Sequence, residues 1–257
     1  MKGRLYDAAA IGSENFLIAR KLVDPKAVQE LKAALTAALA EDEAARGRHY
    51  PYFGMVHALM SRGEPFLRLL GHPPLLELAR AVLGKGCIIY AYNSSSMPPH
   101  RSNYSRAIHV DSPRLVPGYI TNLAVTIALD PFRDENGAME IAPTLAGRPS
   151  APTEEEFLRH RIVLNDLEPG DAIFFNARCW HRGGVNSTGA WRHAVTMNLC
   201  RAYMRTQFDY PSMLGAAKLE GLSEDVRQLL GAFVRMPKSL DEFLLPPDSR
   251  PYRPGQE

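Results

Sequence analysis

Two short segments of the chain hold residues that together could bind a metal ion. His109 and Asp111 lie in the segment I-H-V-D-S, and His181 lies in C-W-H-R-G-G-V-N-S. Two histidines and one carboxylate form the facial ligand set that holds ferrous iron and leaves three coordination positions open. Arg192, in the W-R-H that follows, offers a guanidinium suited to gripping a carboxylate through two hydrogen bonds. These residues suggest an iron enzyme with an acidic cosubstrate.

The H-x-D spacing is a weak signal when it is taken alone. The chain has 8 histidines, and a chance H-x-D in a chain of this size is about a one-in-three event on average composition. On that alternative, His109 and Asp111 are a surface pair and His181 is a core or capping histidine. The surrounding sequence has to decide between the two interpretations.

Composition limits the classes of protein to which the chain can belong. It has 257 residues, of which 46% are hydrophobic and 23% charged, as expected for one globular domain with a substantial core. The net charge of +2 gives no electrostatic argument for nucleic acid. No apolar run approaches the roughly 20 residues of a membrane span, and the start, M-K-G-R-L-Y-D, lacks the apolar core of a signal peptide. The odd number of cysteines, 3, without paired spacing favours a reducing cytoplasm.

Hydrophobic periodicity and turn residues predict helices first, then short strands, then a helical end. Asp24-Pro25 is typical of a helix start. Strands are predicted near 87–92, 119–129, 138–141, 163–167, 172–175 and 192–203, and a small helix near 154–160. We therefore predict a single domain, mainly β with flanking α-helices, built on a double-stranded β-helix (jelly roll). Its parts are N-terminal helices (about 24–83), a jelly-roll core (about 87–205) and a helical C-terminal segment (about 211–245). We expect H-V-D to lie on a strand, where His109 and Asp111 point to the same face because they are two residues apart.

The order of motifs then adds a family resemblance. H-x-D is followed by E-N-G-A-M-E-I-A-P (135–143), by E-P-G-D-A-I-F-F (168–175) and by the W-H-R-G-G-V-N-S and W-R segments. In this set the chain resembles the phytanoyl-CoA hydroxylase-like (PhyH) family of iron(II)/2-oxoglutarate dioxygenases. The resemblance runs from about Asn15 to about Tyr252 and is densest between His109 and Thr196.

The resemblance implies a cofactor, a cosubstrate and a reaction. His109, Asp111 and His181 would bind Fe(II), and Arg192 would pair with the distal carboxylate of 2-oxoglutarate. With O2 the family converts 2-oxoglutarate to succinate and oxidises an unactivated C–H bond, usually by hydroxylation. Desaturation, cyclisation or epimerisation would use the same residues. The presence of Asp111 argues against halogenation, because halogenases of this type lack that carboxylate.

Other polar residues are candidates for the cosubstrate pocket. Thr196 shares a strand face with Arg192 and could bond the same carboxylate, or it could be a buried threonine bonded to backbone. Asn122 and Thr126 share a face of the 119–129 strand and could line the pocket or lie at a solvated edge. Asn186 is expected to fix its loop. Residues 143–147 are P-T-L-A-G where many family members have P-G-S-H, which weakens any inference about the substrate.

The sequence leaves the substrate open. We favour a small molecule of natural-product biosynthesis acted on by a monomer or a homodimer. Five arginines that flank the metal segments could bind an anionic substrate or form a solvated rim; they are Arg101, Arg106, Arg114, Arg178 and Arg182. Trp180 and Tyr104 could line the pocket or belong to the core. The rival functions are a non-catalytic jelly-roll metal-binding protein and a cupin-type metal isomerase, which would not need Arg192.

Overall fold

The computed structural model describes residues 6–253 and 255–256; residues 1–5, part of the segment considered above for a signal peptide, lie outside these ranges. The described helices are α1 (Ala9–Ser13), α2 (Pro25–Arg46), α3 (Glu64–Leu70), α4 (Pro73–Leu83), α5 (Glu154–His160), α6 (Tyr210–Leu214), α7 (Ala216–Glu220), α8 (Glu224–Leu229) and α9 (Leu240–Phe243). The strands are β1 (Phe16–Ala19), β2 (Ile88–Ser94), β3 (Asn122–Ala128), β4 (Met139–Ala142), β5 (Ile162–Leu164), β6 (Ala172–Asn176), β7 (Trp180–Gly183) and β8 (Ala194–Cys200).

The strands form two antiparallel sheets that pack together. The larger sheet has the order β1-β6-β3-β8-β2 and the smaller one β5-β4-β7. Ala124 and Phe175 of the larger sheet share one apolar cluster with Ile141 and Leu164 of the smaller sheet. The inner faces of the two sheets therefore form a common core, and the expected jelly-roll core with flanking helices is confirmed.

Helices α2, α3, α4 and α8 pack on the outer face of the larger sheet, whereas α5 packs beside the smaller sheet. β3 is buried along its whole length, and its residues alternate between two clusters. Val125 and Ile127 join Leu31 and Leu35 of α2 in the larger core, while Ala124 faces the inter-sheet cluster. This two-sided burial explains why the strand is an almost continuous apolar run.

Helix α2 begins where the sequence predicts. The Asp24 carboxylate accepts a hydrogen bond from the Ala27 N–H at 3.0 Å, and Pro25 occupies the first helical position. Its buried residues recur at helical spacing and face the sheet: Val28, Leu31, Leu35 and Ala38. None of the helices in the described part of the chain combines the length and the hydropathy needed to cross a membrane.

The H-V-D segment is the main departure from the predicted elements. It is not part of a strand; only His109 forms an isolated antiparallel bridge, to His181. The N–H groups of Asp111 and Ser112 both donate to the Ala177 carbonyl, at 2.9 and 3.0 Å. Regular strand pairing therefore stops at Asp111. Pro113 cannot restore it, because proline has no backbone N–H to donate. The expectation of a strand at this position was wrong.

We predict that Gly170→Ala destabilises the fold. Gly170 has φ +94°, and an added Cβ would lie 2.3 Å from the Val23 carbonyl oxygen. The positive φ and this clash together should cost roughly 2–3 kcal/mol, or about 5–10 °C in melting temperature for a chain of this length. Thermal denaturation followed by circular dichroism measures the change.

Gly147→Ala is the matched control, because nothing lies within 4 Å of the position of its added Cβ. It should leave the melting temperature nearly unchanged. Equal melting temperatures for the two variants would contradict the tight turn before β6.

Candidate active site

His109, Asp111 and His181 come together at one point although they are far apart in sequence. One potential ligand atom from each lies within 4.8 Å of the others. The Asp111 Oδ1 atom is 3.7 Å from His109 Nε2 and 3.8 Å from His181 Nε2. β7 carries His181, and the bridge to His109 brings the loop residues beside it through N–H···O bonds of 3.0 and 2.9 Å. The structure thus brings together the three residues that the sequence predicts as metal ligands.

The hydrogen bonds of both histidine rings leave Nε2 facing the shared point. His109 Nδ1 lies 2.8 Å from the Ala107 carbonyl, and His181 Nδ1 lies 3.0 Å from the Cys179 carbonyl. A carbonyl can only accept, so Nδ1 is the protonated nitrogen in the neutral form of each ring, and that form has its lone pair on Nε2. Burial, together with the nearby His109, lowers the pKa of His181 to about 4. The neutral rings and the carboxylate fit a divalent cation.

The Asp111 backbone is held by a chain of amide side chains. Asn198 Nδ2 donates to the Asp111 carbonyl at 3.1 Å, and Asn122 Nδ2 donates to Asn198 Oδ1 at 2.9 Å. Asn122 and Asn198 lie on the neighbouring strands β3 and β8. This arrangement ties the metal loop to the larger sheet, while His181 ties the centre to the smaller one.

A cavity of about 300 Å³ opens at these ligands and contains Arg192 in its wall. Arg192 is 3% exposed, with its Cζ 4.2 Å from the centre of the Phe132 ring. Nη2 donates to the Gly137 carbonyl at 2.9 Å, whereas Nε has no partner among the described residues. Burial lowers the pKa of Arg192 to about 10, although the negative charge of Asp130 acts to raise it. A buried guanidinium without a carboxylate on it is suited to binding an anion.

The other predicted cosubstrate residues lie at different depths. Thr126 and Thr196 are directly opposite each other on β3 and β8, and both line the cavity. Thr196 Oγ1 donates to the Asn93 carbonyl at 3.2 Å, whereas Thr126 Oγ1 has no partner among the described residues. Asn122 is 3% exposed and absent from the cavity wall. It reaches the site only through Asn198.

Tyr104 is a cavity residue and Trp180 is not. Tyr104 lines the cavity, and burial together with the Asp111 charge raises the pKa of its phenol. Trp180 packs in a separate apolar cluster with Leu145 and Phe157. Of the two aromatic candidates, only Tyr104 can touch a bound molecule.

The flanking arginines do not converge on the cavity. Arg178 donates to the Ser112 carbonyl at 3.1 Å, and the Arg101 guanidinium lies 5.4 Å from the centre of the Phe53 ring. Neither lines the cavity, nor do Arg106 and Arg114. Arg182 lines it but is held in ion pairs with two glutamates.

Asn186 has the loop-fixing role that the sequence suggested. It is fully buried, and its Nδ2 donates to the carbonyls of Met97, Pro98 and Ala190 at 3.2, 3.1 and 2.7 Å. Its Oδ1 accepts from the Thr188 N–H at 3.0 Å. These bonds tie the loop between His181 and Arg192 to the carbonyls of residues 97 and 98 and to its own end at Ala190.

Sequence reasoning missed several cavity residues. Asn198 carried a detectable signal, because it lies two residues beyond Thr196 on the same face of β8. Asn93 and Gln207 had none, since only the fold brings β2 and the segment after β8 to the cavity. Sequence spacing can identify cavity residues that share a face of one strand, but it cannot identify those that distant strands and loops contribute.

Comparison with known proteins gives a family match and matches to mycobacterial proteins. The model of the phytanoyl-CoA dioxygenase (PhyH) family matches residues 16–194. The uncharacterized protein Rv1501 of Mycobacterium tuberculosis (strain H37Rv) is 31% identical over 208 residues, covering 79% of this chain and 76% of that protein.

Solved structures show the same fold at low identity. SnoN, described as a non-heme alpha-ketoglutarate-dependent epimerase from nogalamycin biosynthesis and solved with Fe3+ and alpha-ketoglutarate, is 22% identical with a TM-score of 0.62. That match covers 81% of this chain and 90% of SnoN. EvdMO1 is also 22% identical with a TM-score of 0.60; the match covers 75% of this chain but only 49% of EvdMO1.

We predict that Asp111→Ala abolishes tight metal binding. The change removes the only anionic ligand atom of the set, so the two histidines would hold Fe(II) alone. We expect at least about a 100-fold weaker Kd, or roughly 3 kcal/mol, in anaerobic titration with Fe(II). His109→Ala and His181→Ala should behave in the same way.

His193→Gln is the matched histidine control. His193 is buried and bonded through Nδ1 to Ser96 Oγ at 2.9 Å, outside the cavity wall. Its variant should bind Fe(II) within a few-fold of wild type. Full metal binding by Asp111→Ala, or loss of metal in His193→Gln, would contradict the assignment.

Proposed function

The chain belongs to the phytanoyl-CoA dioxygenase (PhyH) family, and from this we propose that it is an Fe(II)- and 2-oxoglutarate-dependent dioxygenase. Its reaction is the oxidation of an unactivated C–H bond in a small molecule, with hydroxylation as the expected outcome. The observation that carries the proposal is the convergence of His109, Asp111 and His181 in a cavity that also holds the buried Arg192.

The three ligand residues would hold Fe(II) through the two Nε2 atoms and the Asp111 carboxylate. When bound, iron with 2-oxoglutarate and O2 supplies the oxidising power, and 2-oxoglutarate leaves as succinate and CO2. The hydrogen bonds from both Nδ1 atoms to backbone carbonyls would keep the imidazole rings in the same orientation while cosubstrate and product exchange. His181, being the more buried of the two histidines, would shield the metal from solvent on its side.

Arg192 is the residue that we assign to the distal carboxylate of 2-oxoglutarate. Its buried guanidinium has one strong acceptor, Gly137, and an unpartnered Nε. A carboxylate would supply the missing acceptor and the missing charge. We also assign the sequence candidate Thr126 as a donor to the same molecule, because Thr126 lines the cavity and its hydroxyl has no partner among the described residues. Thr196 would contribute more weakly, since its hydroxyl already donates to Asn93, and Asn122 only indirectly.

The proposed setting is the tailoring of a small natural product in the cytoplasm, without nucleic acid or membrane as partner, by a monomer or a homodimer. The family match and the structural similarity to SnoN, an epimerase from nogalamycin biosynthesis, support the substrate size and pathway type. The cysteines, all unpaired and buried, support a reducing compartment. They are Cys87, Cys179 and Cys200. Epimerisation, cyclisation or desaturation would need the same residues and is distinguished by the product.

The experiment that tests the proposal measures both products. The purified protein is incubated with Fe(II), 2-oxoglutarate and a bacterial metabolite extract, and succinate is assayed while the extract is searched by mass spectrometry. A gain of one oxygen indicates hydroxylation, a loss of two hydrogens desaturation or ring closure, and an unchanged mass with altered retention epimerisation. Failure to bind 2-oxoglutarate and to form succinate would instead favour the non-catalytic metal-binding alternative.

We predict that Arg192→Ala impairs 2-oxoglutarate binding with little effect on Fe(II). Removing one partner of a buried charge pair costs ~3–5 kcal/mol, equivalent to about 100-fold or more in apparent affinity. The measurement is the 2-oxoglutarate concentration that half-saturates succinate formation.

Arg192→Lys and Arg114→Ala complete this series. Lysine keeps the charge but not the two-point grip, so its half-saturating concentration should fall between those of wild type and Arg192→Ala. Arg114 is exposed and outside the cavity, so its variant should match wild type. Saturation of Arg192→Ala at the wild-type concentration would remove Arg192 from the site.

A further inference from the structure

The cavity retains no free positive charge for a substrate once 2-oxoglutarate is bound. Its lining charges are those of the metal ligands, Arg192 and Arg182. The Arg182 side chain is only 7% exposed, pairs with Glu140 through Nη2 at 3.1 Å and with Glu154 through Nη1 at 2.7 Å. Its Nε also donates to Glu140 at 3.1 Å. Within the described residues, therefore, every lining cation other than Arg192 is already neutralised.

The remaining polar groups of the cavity wall are uncharged. Gln207 is exposed in the wall, with only its backbone N–H bonded, to the Tyr90 carbonyl at 2.9 Å. Its side-chain amide has no partner among the described residues, and the same holds for the hydroxyls of Tyr90 and Thr126. Amides and hydroxyls of this kind bond the hydroxyl, ether or carbonyl oxygens of a neutral molecule.

Aromatic rings line the approach to the cavity. Tyr104 lies in the wall and is 36% exposed. The Tyr52 ring is 45% exposed, with its centre 6.1 Å from that of Tyr104, and Tyr90 adds a third ring to the wall. Tyrosine rings in and beside a cavity wall offer stacking surfaces to flat or ring-shaped ligands.

From these observations we infer that the part of the substrate that enters the cavity is an uncharged ring system bearing hydroxyl or carbonyl groups. The inference rests on the proposed function, because it takes Arg192 to be occupied by 2-oxoglutarate. An anion in the same place would lose its hydration without gaining a cation, and this penalty rises as the site excludes water. The anionic substrate suggested by the five arginines in the sequence is therefore replaced by a neutral one.

Matched pairs of probes test the inference. The first pair is phenyl β-D-glucoside and phenyl β-D-glucuronide, which differ in one carboxylate; the second is 2-naphthamide and 2-naphthoate. Binding to the protein loaded with Fe(II) and 2-oxoglutarate is measured by equilibrium dialysis without O2. In at least one pair the neutral member should bind about tenfold or more tightly than its anionic partner. Equal or tighter binding of both anions, or no saturable binding of either neutral probe, would overturn the inference.

A variant that introduces a positive charge locates the effect. Gln207→Arg places a cation at the exposed wall position and should reduce the preference for neutral probes by about tenfold or more. Gln29→Arg makes the same charge change at an exposed position of α2 outside the cavity and should leave the preference unchanged. An unchanged preference in Gln207→Arg, or the same change in both variants, would contradict a substrate beside Gln207.

Dialysis of 2-oxoglutarate against the same samples separates this inference from the proposed function. If 2-oxoglutarate does not bind, the proposed function fails and the charge argument loses its premise. If 2-oxoglutarate binds and the anionic probes are preferred, the substrate inference alone fails.

Discussion

The backbone bridge between His109 and His181 is the constraint on which the centre depends. Each residue donates its N–H to the carbonyl of the other, at 3.0 and 2.9 Å. His181 lies in β7, whereas His109 lies outside the named strands. This pair fixes the separation of the two imidazoles, and the Nδ1 bonds then fix their rotation. Asp111 joins them because its own N–H turns back to the Ala177 carbonyl. The metal centre, built from a loop and a strand, is thus positioned by main-chain hydrogen bonds, to which the Asn198 side chain adds a bond to the Asp111 carbonyl.

Much of this arrangement could be predicted from the sequence, for reasons that differ between the parts. The start of α2 can be predicted from Asp24 and Pro25. The nearly continuous apolar sequence of β3 indicates a strand that is buried on both faces. The ligand residues were identifiable because a metal site needs particular donor types, and a family resemblance joined distant motifs. The prediction of a strand at H-V-D was wrong because the N–H groups of Asp111 and Ser112 both bond to the carbonyl of Ala177, a residue far along the chain.

The substrate side of the cavity could not be predicted in the same way. Arginine is the residue that sequence reasoning connects with anions, yet the partners of a given arginine are set by tertiary contacts. Arg182 meets two glutamates and Arg178 meets backbone carbonyls, so neither is available to a ligand. Gln207 and Tyr52 attract no attention in the sequence because their types are common and their positions irregular. Only the fold shows which polar groups have no partner and which charges are neutralised by ion pairs.

The buried thiols have a consequence for a protein that handles iron and O2. Cys179 directly precedes β7 and its carbonyl supports His181, yet burial raises the pKa of its thiol to about 12. The thiols of Cys87 and Cys200 are shifted in the same direction by burial, to about 11 and about 12. Oxidation proceeds through the thiolate, which is almost absent at neutral pH in all three. The three thiols are therefore poorly reactive beside the iron site, and the oxidisable sulfur atoms of the cavity wall are the thioethers of Met55, Met139 and Met197.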